Sequence, residues 1–163
     1  MKTTKLVTLT GLMIVLCVSS VRAQVGTPKH DRRVARILKG EDISYKIDKD
    51  GDFKVTFDVG GGRSQMAFIM SDTSEYRNFE IREIWSIGYR SATDQFPSSV
   101  ANRLLEETFP KKLGAWAKKD NLAIFMVRVA ADADAESLIS ALKLALEAAD
   151  EMEEKLTGDK DEF

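Results

Sequence analysis

The sequence predicts an α+β fold, with an antiparallel sheet of about five to six strands packed against a short N-terminal helix, a middle helix and a long C-terminal helix. Residues 43–47 and 53–59 alternate apolar and polar side chains around an Asp-Gly turn, a pattern typical of a β-hairpin. Residues 79–89 alternate in the same way, which predicts a further long strand. Residues 138–156 carry apolar side chains at steps of three and four, which indicates an amphipathic helix covering the sheet.

Length and composition narrow the classes of protein to consider. A chain of 163 residues fits one domain, and 44% hydrophobic with 31% charged residues is ordinary for a globular protein. The formal charge of −2 and the lack of a basic run argue against a nucleic-acid partner. One His and one Cys leave little for metal or nucleophilic chemistry. We therefore expect a protein that is not an enzyme and uses no cofactor.

Residues 1–23 have the layout of a secretory signal peptide. Two lysines precede an apolar run over residues 6–18, and Val-Arg-Ala ends the segment with compact residues. As a helix that run would rise about 20 Å, less than the roughly 30 Å hydrocarbon core of a bilayer. We expect cleavage between Ala23 and Gln24, no membrane span after cleavage, and a periplasmic or secreted protein.

Cys17 leaves an alternative for this segment, because a lipid-modified Cys also follows an apolar stretch. Leu16 before it is bulky where that processing site takes a small residue, so the sequence favours simple cleavage. Cleavage would remove the single Cys, and the exported domain would then be held by its core without disulfide bonds.

The first half of the exported chain is predicted to hold a leader, a helix and the first strands. Residues 24–30 form a polar leader, and Asp31 caps a helix that ends near Lys39. Residues 64–70 are predicted to be a strand buried on both faces. Residues 71–78 are polar and predicted to be a loop.

The second half is predicted to contain two helices separated by a hairpin. A middle helix begins at Pro97 and ends near Glu107, and a hairpin pairs residues 113–117 with residues 122–130. Asp132 or Asp134 caps the last helix. The domain is expected to span residues 31–157, and residues 158–163 to form a charged, frayed tail.

Two acidic features could carry chemistry. The alternating Asp48, Asp50 and Asp52 resemble the start of a calcium loop, but Phe53 and Val59 occupy the positions that need Gly and Glu, so a hairpin turn is predicted. Glu83 interrupts an apolar strand face and could be a perturbed acid. The commoner interpretation is an ion pair with a nearby arginine, for which Arg82, Arg90 and Arg103 are candidates.

Two stretches of the chain resemble the YbjN-type domain, a bacterial family described as sensory transduction regulators. The first reads I-L-K-G-E-D-I-S-Y-K-I-D-K-D-G-D-F-K-V-T-F, and the second reads K-L-G-A-W-A-K-K-D-N-L-A-I-F-M-V-R-V followed by A-D-A-D-A-E-S-L-I-S-A-L. Together they place the resemblance over roughly residues 31–157. These motifs consist of strand and turn residues and include no catalytic signature.

The resemblance implies the fold of class I type III secretion chaperones, a twisted antiparallel sheet with helices packed on it. Such chaperones are homodimers that bind extended segments of other proteins, so a protein partner and a homodimer are expected. The export signal departs from those cytoplasmic chaperones. We therefore expect an exported, non-enzymatic protein-binding or chaperone-like module of the cell envelope, used in sensing or regulation. A periplasmic small-ligand sensor and a carboxylate-based enzyme are the alternatives.

The strand over residues 79–89 is the candidate partner-binding surface. Its side chains exceed what one short helix needs to cover, and a peptide could add to a sheet edge while its side chains enter neighbouring pockets. The alternative is that the last helix covers them all. The candidate residues are Phe79, Ile81, Arg82, Trp85, Ile87 and Tyr89. Trp116, flanked by small residues, is expected in the core.

Overall fold

The computed structural model describes residues 29–158 and 160–163. Four sequence predictions lie outside the described residues: the signal peptide over 1–23, its cleavage between Ala23 and Gln24, the lipidation alternative at Cys17, and most of the leader over 24–30. They stay predictions.

The described residues form one open antiparallel sheet of six strands with three helices, which confirms the predicted α+β fold. The strand order across the sheet is β1-β2-β3-β4-β6-β5, and every neighbouring pair is antiparallel. In chain order the elements are α1 (Arg32–Gly40), β1 (Lys46–Ile47), β2 (Phe53–Gly60), β3 (Arg63–Tyr76), β4 (Phe79–Arg90), α2 (Ser98–Thr108), β5 (Ala115–Lys119), β6 (Leu122–Ala130) and α3 (Ala135–Thr157).

The helix starts and the first hairpin form as their local sequences predict. The Asp31 carboxylate accepts a hydrogen bond from the Arg33 amide and caps α1, and Asp134 caps α3 through the Ser137 amide. The predicted hairpin turn between β1 and β2 is confirmed, since Asp48 Oδ1 accepts hydrogen bonds from two amides within it. β1 itself is shorter than predicted and contains only two residues.

The predicted loop over residues 71–78 is wrong, because β3 continues through most of it. The reversal occupies only Arg77 and Asn78, and Tyr76 pairs with Phe79 across it. The β3–β4 register is irregular between Ile69 and Thr73. Polar side chains suit a strand here because the end of this hairpin is exposed, so its main chain is paired while its side chains face water.

One face of the sheet carries the hydrophobic core. Leu142 and Ala145 of α3 are fully buried against it, and α1 contributes Val34 and Leu38 to the same core. A Cβ atom at Gly88 would lie 2.5 Å from Cη2 of Trp116 and 3.0 Å from the Ala149 carbonyl oxygen. Glycine at this position therefore lets α3 approach β4 closely. Trp116, predicted to lie in the core, is partly buried and packs against this core.

The C-terminal residues contact the domain, in contrast to the frayed tail predicted from sequence. Phe163 is buried beneath the guanidinium of Arg90, and the Arg90 Nε atom lies 2.6 Å from Glu162 Oε1. The Glu162 amide donates to the buried carboxylate of Glu153 at 2.6 Å. Burial raises the pKa of Glu153, although this amide and the charge of Arg63 act in the opposite direction.

Candidate binding surface

The two faces of β4 differ in what covers them. Ile84 and Ser86 are fully buried on the face that carries α1 and α3. Trp85 and Ile87 point to the opposite face, which we call the open face, and both are half-buried. Cross-strand pairing identifies the apolar residues that share the open face with them, namely Phe68, Ile124 and Met126.

Two half-open depressions of about 320 and 330 Å³ lie on the open face and share Met70 and Trp85. The first is also lined by Phe68, Ile87 and residues of β6, and the second extends towards Ile81. Apolar side chains supply much of the lining, while polar groups stand at the margin. A half-buried apolar surface with polar margins is a common form of interaction site.

The indole of Trp85 is oriented by polar groups on both sides. Its Nε1 donates to Glu83 Oε2 at 3.0 Å, and Arg128 Nε donates to the other Glu83 oxygen at 2.9 Å. The ammonium of Lys119 lies 4.3 Å from the ring centroid, within the range of a cation–π contact. The sequence predicted an arginine partner for Glu83, and the structure assigns this role to Arg128, the residue directly opposite on β6.

The structure separates the six candidate residues into different environments. Ile81, Trp85 and Ile87 lie on the open face, and Phe79 is 60% exposed beside the hairpin end. Tyr89 leaves this face because the β4–β6 register shifts between Ile87 and Tyr89. That extra residue turns Tyr89 to the helix side, where its ring packs against Phe96 at 5.9 Å.

Arg82 is only 1% exposed, so it cannot belong to a partner-binding surface in this structure. Its guanidinium donates to Asp31 Oδ2 at 2.5 Å, to the Ser71 carbonyl at 3.2 Å and to the Met70 carbonyl. The two carbonyls lie in the irregular part of β3. Arg82 therefore joins the start of α1 to the centre of the sheet.

A second arginine extends this network to the surface. Arg33 bridges Asp31 and Glu80, with 2.7 Å from its Nη2 atom to each carboxylate. Burial would raise the pKa of Asp31, but hydrogen bonds from Arg33 and Arg82 outweigh burial and hold the pKa well below its usual range. The hydrogen bond from Arg33, helped by Thr73, lowers the pKa of Glu80 to about 2.

Lowering the pH from 4.5 to about 2 is expected to reduce the free energy of unfolding, because the unfolded chain takes up a proton at Glu80 over this range while the folded protein holds that carboxylate ionised. The lowered pKa of Asp31 acts in the same sense. A carboxyl whose pKa is lowered by folding contributes stability above its unfolded pKa and loses that contribution as the pH falls through its folded pKa. Urea unfolding followed by circular dichroism at intervals across this range measures the loss.

In the variant Glu80→Gln, the free energy of unfolding should fall less steeply with pH than in the parent. Glu147→Gln, a change at an exposed position of α3, should leave that slope unchanged. The slopes are compared because Glu153 acts in the opposite sense: its raised pKa favours the folded state as the pH falls. Identical slopes for Glu80→Gln and the parent would contradict the role given to Arg33 and Glu80.

Carboxylates border the open face on the β2 side. We call the four residues Asp48, Asp50, Asp52 and Asp72 the acidic rim, because the two depressions are lined by them on this side. Burial raises the pKa of Asp52, and the neighbouring aspartate charges raise it further, while the Ser71 amide acts against them. Among the described residues, no group of three or more His, Cys, Asp or Glu side chains has the arrangement to hold a metal ion.

The sequence singled out Asp48, Asp50 and Asp52 only as a turn, and the prediction included neither Asp72 nor two apolar members of the open face. Residues 64–70 were predicted to be buried on both faces, but only Gln65, Ala67 and Ile69 are fully buried, while Phe68 and Met70 are half-exposed. The alternation along β3 was the available signal for the two faces. Which aspartates would meet Trp85 depended on strand order and could not be predicted from sequence.

A scan of the sequence against protein-family models finds no match, and a search of curated proteins also finds no match. Within residues 29–158 and 160–163, no helix has both the length and the apolar character needed to cross a membrane.

Proposed function

We propose that this chain is an exported, non-enzymatic protein-binding module of the bacterial cell envelope, and that it holds an extended segment of a partner protein on the open face. The observation that carries the proposal is the position of Trp85, half-buried among Phe68, Met70 and Ile87 on the side of the sheet opposite α3. Oriented aromatic side chains within apolar surfaces are frequent anchors of protein interfaces.

The strand order favours docking on the face of β4 rather than along its edge. β4 is paired with β3 on one side and with β6 on the other, so it offers no free edge for strand addition. The edge-addition mode expected from the sequence therefore does not apply to this strand. A partner segment would instead place its side chains in the two depressions of the open face.

The shape and chemistry of the open face support a protein segment over the two alternatives. Pockets for small ligands enclose most of the ligand surface, whereas these depressions are about half open to solvent. Glu83, the acid singled out for a carboxylate enzyme, is already engaged by Trp85 and Arg128. A role in sensing or regulation, the relation to YbjN-type domains and a homodimer are parts of the same proposal.

The proposal includes export through the signal peptide over residues 1–23. We expect the exported protein to begin at Gln24, because the apolar run is short and ends in compact residues. Intact-mass measurement on protein recovered from the envelope checks this prediction. A chain that retains Met1, or a lipidated Cys17, would contradict it.

Truncation of Trp85 is expected to weaken partner capture without changing the fold. Affinity capture from the envelope fraction should recover at least about tenfold less partner with Trp85→Ala than with the parent protein, since an aromatic anchor contributes about 2 kcal/mol or more. Because Trp85 is half-buried, thermal unfolding of each variant is measured, and capture is expressed per folded molecule.

Phe109→Ala is the matched control, because Phe109 is an aromatic residue that is 93% exposed and lies beyond the end of α2. Capture by this variant should equal capture by the parent. The proposal fails if Trp85→Ala captures as much partner as the parent, or if both variants lose the same amount.

A further inference from the structure

We infer that the partner segment is basic as well as apolar, with an apolar side chain seated at Trp85 and a Lys or Arg side chain that reaches the acidic rim. This inference rests on the proposed function, because it gives the chemistry of the partner for the same open face. It goes further in fixing the sign of the charge that the partner must carry.

The acidic rim borders the apolar side chains of the two depressions directly. Asp50 and Asp52 line both depressions together with Met70 and Trp85, and Asp72 lines the second. Any chain seated on the indole therefore passes within reach of these carboxylates. The rim aspartates come together because three of them lie in the turn before β2 and Asp72 lies on β3, and β2 and β3 are adjacent strands.

The charges of the rim have little compensation within the described residues. Their closest ion pair joins Asp50 to Lys49 at 4.0 Å, between two exposed side chains, and Asp48, Asp52 and Asp72 have no ion pair within 4.0 Å there. Backbone amides donate to Asp48 and Asp52, which orients those carboxylates and leaves their charge in place. A cation from a partner would relieve the mutual repulsion of these aspartates.

Cations also stand on the open face, since Lys54 of β2 lies opposite Phe68 and Lys119 lines the first depression together with part of the rim. Lys119 is on β5 and Arg128 on β6, whereas the rim belongs to the β1–β2 turn and to β3. Arg128 is paired with Glu83, and Lys119 covers Trp85. Among the described residues, neither Lys54 nor these two cations form an ion pair within 4.0 Å with a rim carboxylate, so the rim can accept a cation from a bound segment.

A polypeptide fits this pattern better than other cationic or charged partners. Successive side chains of an extended chain alternate in direction, so an apolar residue and a basic residue at even spacing can both face the sheet. The rim would repel the phosphates of a nucleic acid or of an anionic lipid surface. A simple inorganic cation would not contact the apolar side chains of the two depressions, whereas a polypeptide would.

Three labelled synthetic peptides test the inference with the purified protein. Each has a central Phe, with Lys, Gln or Glu two positions away on both sides and Ser elsewhere, and binding is measured by fluorescence anisotropy. We expect the Lys peptide to bind at least about tenfold more tightly than the Glu peptide, with the Gln peptide between them. Added salt should reduce this difference, because the rim is solvent-accessible.

The double variant Asp50→Asn/Asp72→Asn should remove most of the preference for the Lys peptide over the Glu peptide. These two aspartates are chosen because both are exposed and neither accepts a side-chain hydrogen bond from the rest of the described chain. The matched control is Glu147→Gln/Glu154→Gln, which changes the net charge equally on the exposed side of α3. This control should keep the preference.

The outcomes separate this inference from the proposed function. In one outcome, Trp85→Ala weakens binding of all three peptides while the parent binds the Lys and Glu peptides equally. In that case the open face is a binding surface, and the inference that the partner segment is basic is wrong. If the α3 control loses the preference as fully as the rim variant, the effect comes from net charge and the rim is not the site. If no peptide binds, or if Trp85→Ala changes none of them, the proposed function and the inference both fail.

Discussion

Replacing Arg82 with Met is expected to lower the free energy of unfolding by about 3–5 kcal/mol, the usual cost of removing one partner of a buried ion pair. The guanidinium is 1% exposed and donates to the Asp31 carboxylate and to the carbonyls of Met70 and Ser71. Without it, three acceptors at the junction of α1 and the sheet each lose a donor, although Asp31 keeps the hydrogen bonds from Arg33. Urea unfolding followed by circular dichroism at neutral pH measures the change.

Arg128→Met is the control for this experiment, because the Arg128 side chain is 60% exposed and its pair with Glu83 lies at the surface. We expect this change to cost less than about 1 kcal/mol. A double-mutant cycle with Asp31→Asn, which keeps a capping side chain for α1, should show positive coupling with Arg82→Met. Equal losses for Arg82→Met and Arg128→Met would contradict the role assigned to Arg82.

Truncating Leu142 to Ala should cost about 2–5 kcal/mol, the range found for cavities in well-packed cores. Leu142 is fully buried on α3, within the core cluster that also contains Ile84 and Val127 of the sheet. The matched control is Leu105→Ala, the same chemical change at an α2 position that is 69% exposed, where a loss within about 0.5 kcal/mol is expected. A Leu142→Ala variant as stable as its parent would mean that α3 is not part of the core.

Local patterns in the sequence were sufficient where a feature depends on neighbouring residues. The caps at Asp31 and Asp134 form because their carboxylates meet amides two and three residues along the chain. The turn before β2 forms because Asp48 accepts hydrogen bonds from amides within the same turn. The row of apolar side chains on α3 could be predicted because its spacing matches the period of a helix.

The candidate surface was predicted in part, because the alternation along β4 separates two faces and does not say which face is covered. Ile81, Trp85 and Ile87 do share the open face, and their role in binding stays a prediction. Arg82 was included although it is buried, and Tyr89 was included although the register shift turns it to the helix side. Neither fact has a signal within the strand itself.

The sequence by itself determined the three helices and the turn of the first hairpin, since caps, turns and side-chain periods are set by residues a few positions apart. Only the tertiary structure decided which face of the sheet is open. Arg82 can be buried because Asp31, 51 residues earlier, supplies a carboxylate, and Gly88 leaves room for α3 to approach β4. The tail packs because buried Glu153 binds the Glu162 amide. Such choices depend on the charge, hydrogen bonding and volume of groups that meet only after the chain has folded.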